Sequence, residues 1–157
     1  MKKLFDTDFF PKAPGADSPP LDPVSGSAAK GKRRILIVDD DSNSTHLVKI
    51  LLERSGPYLV LEENDATKAD QTAHDFRPDV ILLDIIMPEL DGAELATQIE
   101  ADRELRDTPI IFLTALVTHS EARSGLHVQG HSLVAKPISI PELIDAIEKH
   151  LPVPAEC

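Results

Sequence analysis

Pro78-Asp79-Val80-Ile81-Leu82-Leu83-Asp84-Ile85-Ile86-Met87-Pro88-Glu89-Leu90-Asp91-Gly92 is the stretch that decides the fold. Val80 to Leu83 is an unbroken apolar run, which predicts a parallel strand covered on both faces. Asp84 ends the run. Asp91-Gly92-Ala93-Glu94 then reads as a capped helix start, continued by Leu95, Ile99 and Asp102. One strand, a carboxylate at its carboxyl end, and a helix returning the chain: this is half of a βαβ unit.

The same grammar extends in both directions. Upstream, Ile35-Leu36-Ile37-Val38 is a second unbroken run, ending in Asp39-Asp40-Asp41. A helix is predicted over Ser42 to Ser55, with Leu47, Ile50, Leu51 and Arg54 on one face and Gly56 as its stop. Tyr58 to Leu61 is the next strand, and Asp65 to Phe76 a helix striped with Ala66, Ala69 and Ala73. Downstream, Ile110-Ile111-Phe112-Leu113 is a strand closed by Thr114, followed by a polar helix over Thr118 to Leu126. Ser132 to Ala135 gives a short fifth strand before Lys136-Pro137. Ser139-Ile140-Pro141-Glu142 opens the last helix with capping-box chemistry, above a stripe of Leu143, Ile144, Ile147 and Leu151. Five alternations without a hairpin signal predict an α/β fold with five parallel strands, five helices and right-handed crossovers.

In such sheets ligands bind outside the carboxyl ends of the strands. There the sequence places Asp39, Asp40 and Asp41, then Asp84, Thr114 and Lys136. Any one of these is unremarkable as a loop or cap residue. Four strands out of five ending in polar groups of complementary chemistry are harder to dismiss. Carboxylates converging within about 4 Å repel by roughly 4 kcal/mol per pair at an effective dielectric near 20, so such a nest needs a cation. All-oxygen ligands suit Mg²⁺, which keeps several waters and leaves room for a phosphoryl oxygen. Lys136 adds a point charge and Thr114 a hydroxyl. The set makes a place to hold a phosphoryl group beside a carboxylate nucleophile.

Composition narrows the field. The 157 residues fit one domain with an appendage, and 41% hydrophobic content supports a real core. The net charge is −11, and residues 1–30 hold four lysines against four aspartates, so the excess lies on residues 31–157. An acidic body argues against direct nucleic-acid binding. Cys157 is the single cysteine, which fits a reducing, cytoplasmic setting. Asp6 and Asp8 interrupt the apolar run that export would need, and no run is long enough to insert in a membrane.

The Asp pair after the first strand, the D-x-x-M-P-x-x-D-G run from Asp84 to Gly92, Thr114-Ala115 after the fourth strand, and Ala135-Lys136-Pro137 resemble the receiver domains of bacterial response regulators. The resemblance covers about residues 33–150. It implies a flavodoxin-like, doubly wound sheet of order 2-1-3-4-5. It further implies that Asp84 takes a phosphoryl group from a histidine kinase or histidine phosphotransfer protein in a phosphorelay, and that the domain catalyses this transfer and its own dephosphorylation. Asp40 would ligate Mg²⁺ directly, Asp39 largely through water, and Asp84 and the Ile86 carbonyl would complete the protein's share. Lys136 would pair with the phosphoryl group, and Thr114 would move to bond it. The Lys136–Pro137 bond would be cis. Helix four, strand five and helix five would form the surface for a target or a homodimer.

Two departures from that family matter. Leu133 stands where an aromatic switch residue is common, so the switch would pass through Thr114 and its loop. Ile86 and Leu116 occupy positions that are often polar and flank the route by which water attacks an acyl phosphate. The alternative function is a phosphorylation-independent adaptor using the same surface. A haloacid-dehalogenase-like phosphatase would need an Asp where Ile86 stands, and no phosphate-binding glycine loop is present. Among the six histidines, His127 and His131 are four apart, but a turn between them makes a metal site there a poor reading.

Three segments are expected: residues 1–30 as an extension, 31–151 as the receiver domain, and 152–157 as a tail. Residues 11–30 hold five prolines and read as an extended linker, spanning roughly 60 Å in a polyproline-like state. Phe5, Phe9 and Phe10 before it read as a docking segment or a frayed end. With Pro152 and Pro154 closing the chain, no output domain is expected to follow.

Overall fold

The computed structural model describes residues 31–88 and 90–151. The expectations for residues 1–30 and 152–157 lie outside the described residues. The strands are β1 Arg33–Val38, β2 Tyr58–Glu63, β3 Val80–Asp84, β4 Ile110–Thr114, β5 His127–Val128 and β6 His131–Ala135. The helices are α1 Ser42–Ser55, α2 Ala69–Phe76, α3 Gly92–Ala101, α4 His119–Arg123 and α5 Ile140–His150, with a 3₁₀ turn, Ala66–Lys68, leading into α2.

The sheet order is β2-β1-β3-β4-β6-β5. Pairing is parallel between β1 and β3, β3 and β4, and β4 and β6. Leaving β5 aside, this is the predicted 2-1-3-4-5 order. Because side chains alternate along a strand, each continuous apolar run feeds two cores. Leu36, Val38, Ile81, Leu83 and Phe112 pack with Ala69, Ala73, Leu95 and Ile99 on the side of α2 and α3. Ile35, Ile37, Val80, Leu82 and Leu113 pack with Val48, Leu52, Leu143 and Ile147 on the side of α1 and α5. Burying each such Leu or Ile is worth about 1.5–3 kcal/mol, which is why both faces must be covered.

Four details correct the sequence reading. A hairpin is present: β5 runs antiparallel to β6, making the sheet six-stranded. Gln129 and Gly130 turn it with φ of 54° and 81°, the two positive values a two-residue hairpin turn requires. Gln-Gly is not the usual sequence signal for that turn. Second, α4 has five residues rather than nine, since Gly125 leaves helical space at φ 92°. Third, the capping box sits on α4, between Thr118 and Glu121. Ser139 makes no side-chain cap bond, and Glu142 instead binds His119 at 2.9 Å and Arg123 at 2.6 Å. Fourth, α1 buries Thr45, Val48 and Leu52, while Leu47 is 57% exposed. Thr45 reaches inward because its hydroxyl donates to Glu62 at 2.7 Å and accepts from Asn64 Nδ2 at 2.9 Å.

Candidate functional site

β1 and β3 are adjacent and parallel, so their carboxyl ends deliver Asp39 and Asp84 side by side. Both are buried, Asp39 at 2% and Asp84 at 7% exposure, while Asp40 is exposed. The ligand oxygens of Asp39, Asp40 and Asp84 all lie within 4.8 Å of one another. Asp41 stands apart from them and caps α1, accepting from Asn43 and Ser44 N–H.

Lys136 enters from the end of β6, two strands away. Its Nζ lies 2.9 Å from Asp39 Oδ2 and 3.5 Å from Asp84 Oδ1. Its backbone is fixed by donation from its N–H to the Thr114 carbonyl at 2.8 Å, and the Lys136–Pro137 bond is cis. Asp39 Oδ1 accepts from Asp41 N–H at 3.0 Å, so both Asp39 oxygens are engaged. Asp84 Oδ1 accepts a long bond from Ile86 N–H at 3.4 Å.

These neighbours set the electrostatics. Burial first, then the charge of Asp39, pushes the Asp84 carboxyl up to about 6, and Lys136 only partly pulls it back. Burial opposes the charge on Lys136, but its bond to Asp39 and the fields of Asp39 and Asp84 outweigh that, holding the ammonium above its ordinary range. Three carboxylates thus face one ammonium. An open cleft of about 260 Å³, lined by Asp40, Asn64, Asp65, Ala66, Met87 and Pro88, adjoins the cluster.

Of the residues singled out from sequence, Asp39, Asp40, Asp84 and Lys136 meet. Thr114 is buried at the end of β4, and its hydroxyl accepts from Leu116 N–H within its own loop. The side chains of Ile86 and Leu116 are 60% and 66% exposed. Leu133 is buried in the core cluster that contains Phe112. Two contributors were missed. Asn64 Nδ2 donates to the Asp39 carbonyl at 2.7 Å, steadying the loop after β1. Gly92, read only as a helix start, is required by contact: a Cβ there would lie 2.2 Å from the Asp84 carbonyl oxygen and 2.7 Å from Ile85 Cα. The eight-residue spacing from Asp84 carried that signal, but only the return of the chain reveals the contact.

A family model for the response regulator receiver domain matches residues 35–148. The polar-differentiation response regulator DivK of Brucella anthropi is 32% identical over 119 residues, spanning 76% of this chain and 96% of its own length. The probable transcriptional regulator ycf27 of Guillardia theta is 38% identical over 112 residues, or 71% of this chain and 42% of that protein. Among solved structures, the chemotaxis protein CheY4 of Vibrio cholerae superposes with a TM-score of 0.66 at 27% identity, over 76% of this chain and 99% of that one. The chain belongs to the response regulator receiver domain family. Its function is that of a phosphoacceptor in two-component signalling, where receivers work with histidine kinase or phosphotransfer partners. Among the described residues, no helix is long and apolar enough to cross a membrane.

Proposed function

We propose that Asp84 is the phosphoacceptor and that Asp39, Asp40, Asp84 and the Ile86 carbonyl hold Mg²⁺ beside it. The observation that carries this reading is the convergence of three carboxylates within 4.8 Å against the single ammonium of Lys136. The donor set is all oxygen, and its charge is in excess, both of which fit a hard divalent cation. When bound, Mg²⁺ supplies the charge neutralisation that lets an anionic donor approach an anionic nucleophile.

The Asp84 oxygen attacks phosphorus of a phosphohistidine. The O–P bond forms, the P–N bond breaks, and the imidazole leaves with the electron pair of that bond. Lys136, already between Asp39 and Asp84, stabilises charge on the transferring group. Thr114 would exchange its bond with Leu116 N–H for one to the phosphoryl oxygen, shifting its loop. Leu133 is already buried, so the switch runs through Thr114 and this backbone, towards α4, β6 and α5. That face is the proposed site for a downstream target or a homodimer, in a cytoplasmic setting.

The test is incubation with acetyl phosphate and Mg²⁺, read by mass spectrometry. An adduct of one phosphoryl group, lost in Asp84→Asn, is the expected result. An adduct that persists in Asp84→Asn places the acceptor elsewhere, and none in the wild type favours a phosphorylation-independent adaptor.

A further inference from the structure

Away from the strand ends, the described residues gather one other set of cation ligands. Asp70 and His74 stand four apart on α2, so they share one helix face a turn apart. Asp102 caps the carboxyl end of α3 and faces them, with all three ligand atoms within 4.8 Å of one another. The composition differs from the first cluster, because an imidazole replaces a carboxylate.

Asp102 and His74 are held from outside. Asp102 Oδ1 accepts from Glu104 N–H at 2.9 Å, which leaves Oδ2 directed at His74 Nε2. His74 Nδ1 bonds Glu104 Oε1 at 3.1 Å, and Arg77 holds the same Glu104 oxygen at 3.1 Å. Both ring nitrogens thus bond carboxylates; with an ion between Nε2 and Asp102 Oδ2, the Nδ1–Glu104 bond would be the outer contact that metal-binding histidines keep. An imidazolium clasped between Asp102 and Glu104 would account for those contacts alone. It leaves Asp70 unexplained: Asp70 Oδ1 is buried and has no hydrogen-bond partner. A buried, unpaired oxygen on a carboxylate grouped with an imidazole and a second carboxylate is a costly arrangement unless a cation completes it.

We propose that Asp70, His74 and Asp102 bind a borderline divalent cation of the zinc type, distinct from the all-oxygen cluster at the strand ends. Mixed nitrogen and oxygen ligands, three in number, suit Zn²⁺ or Co²⁺ and disfavour Mg²⁺. The ion would staple α2 to the carboxyl end of α3.

The experiment uses the untagged full chain, with Mg²⁺ saturating so that the strand-end carboxylates are occupied. Co²⁺ is titrated as a visible-absorbing probe, then displaced with Zn²⁺. One saturable equivalent is expected, displaced by Zn²⁺ and indifferent to further Mg²⁺. It should vanish in His74→Gln and weaken at least tenfold in Asp70→Asn, while Asp84→Asn and His131→Gln retain it. Asp70→Asn is nearly isosteric, so it carries the test if His74→Gln folds poorly, with circular dichroism as the check. Zn²⁺ should also raise the Tm of the wild type and leave that of Asp70→Asn unmoved. No saturable equivalent, or a signal that survives both His74→Gln and Asp70→Asn, reduces the cluster to an ion pair. A signal lost in Asp84→Asn would locate the cation at the strand ends and overturn the proposal equally.

Discussion

Two clusters of acidic residues, at opposite ends of the same physical scale, are built into this chain. Asp39 and Asp40 follow β1 and Asp84 ends β3, at the carboxyl ends of buried parallel strands, with one ammonium among them. Burial and mutual repulsion push Asp84 up to about 6. Asp102 sits at a helix end with His74 and Glu104 around it, and the Glu104 N–H together with His74 holds its carboxyl below the ordinary range. The first cluster is unfavourable as it stands and gains from a cation or a phosphoryl-lysine arrangement. The second satisfies Asp102 and His74 through hydrogen bonds and leaves the buried Asp70 Oδ1 as the atom a cation would complete. The unfavourable charge at the first is what the proposed phosphoacceptor chemistry would use, whereas at the second only Asp70 is left for a cation to complete.

That contrast can be broken most directly by neutralising one carboxylate in each cluster. Asp84→Asn should abolish the phosphoryl adduct altogether, and Asp40→Ala should reduce it strongly. In EDTA at neutral pH, Asp84→Asn should also stabilise the fold, by about 1–3 kcal/mol on the scale of the pKa displacement. Asp102→Asn under the same conditions should lower the Tm. Thermal unfolding of the three proteins side by side settles it: shifts of the same sign would mean the clusters do not differ as described.

Backbone geometry beside the proposed phosphoacceptor should matter next. In Gly92→Ala the new Cβ meets backbone on two sides, the Asp84 carbonyl oxygen at 2.2 Å and Ile85 Cα at 2.7 Å. Neither atom belongs to a flexible side chain, so β3 or α3 must shift. A loss of about 1–3 kcal/mol in urea unfolding is expected, together with slower reaction with acetyl phosphate. Full activity and unchanged stability would show that the contact relaxes without consequence.

A smaller effect should come from the rim. Ile86 and Leu116 are exposed on the loops after β3 and β4, and aliphatic side chains can exclude water but not orient it. Ile86→Asn with Leu116→Glu should speed loss of the phosphoryl group about tenfold, equivalent to about 1.4 kcal/mol off the barrier. The decay of phosphorylated protein after donor removal, in excess Mg²⁺, gives the number. Equal or slower decay would place control of the water elsewhere.

The least effect is expected at the tie between α4 and α5. His119 first, and Arg123 second, hold the Glu142 carboxyl below its ordinary range. A depressed carboxylate contributes stability above its unfolded pKa and loses it as pH falls through the folded one. The Tm difference between wild type and Glu142→Gln should therefore be present at about pH 6 and close towards about pH 3. A gap that widens on acidification would mean that some other group dominates.

Much of the fold was legible because parallel strands buried on both faces must be continuously apolar, and Ile35–Val38, Val80–Leu83 and Ile110–Leu113 are. The hairpin of β5 and β6 escaped notice because Gln129 adopts a positive φ that its side chain does not announce. On α1, helical periodicity suggested a stripe through Leu47 and Leu51, whereas burial falls on Thr45, Val48 and Leu52. A threonine joins the core there only because Glu62, on the neighbouring strand, accepts its hydroxyl.

By itself the sequence determined the family, the two-sided sheet and the identity of the residues at the strand ends, since runs, spacings and residue types are local properties of the chain. Tertiary structure decided what those residues do to one another. Only the adjacency of β1 and β3 makes neighbours of Asp39 and Asp84, and only the crossing from β6 brings Lys136 within 3.5 Å of Asp84. Likewise Asp102 meets Asp70 and His74 because α2 and α3 pack on one face of the sheet, not because of any spacing between them. Charge interactions depend on distance through space and on burial, and neither quantity is written in the order of residues along the chain.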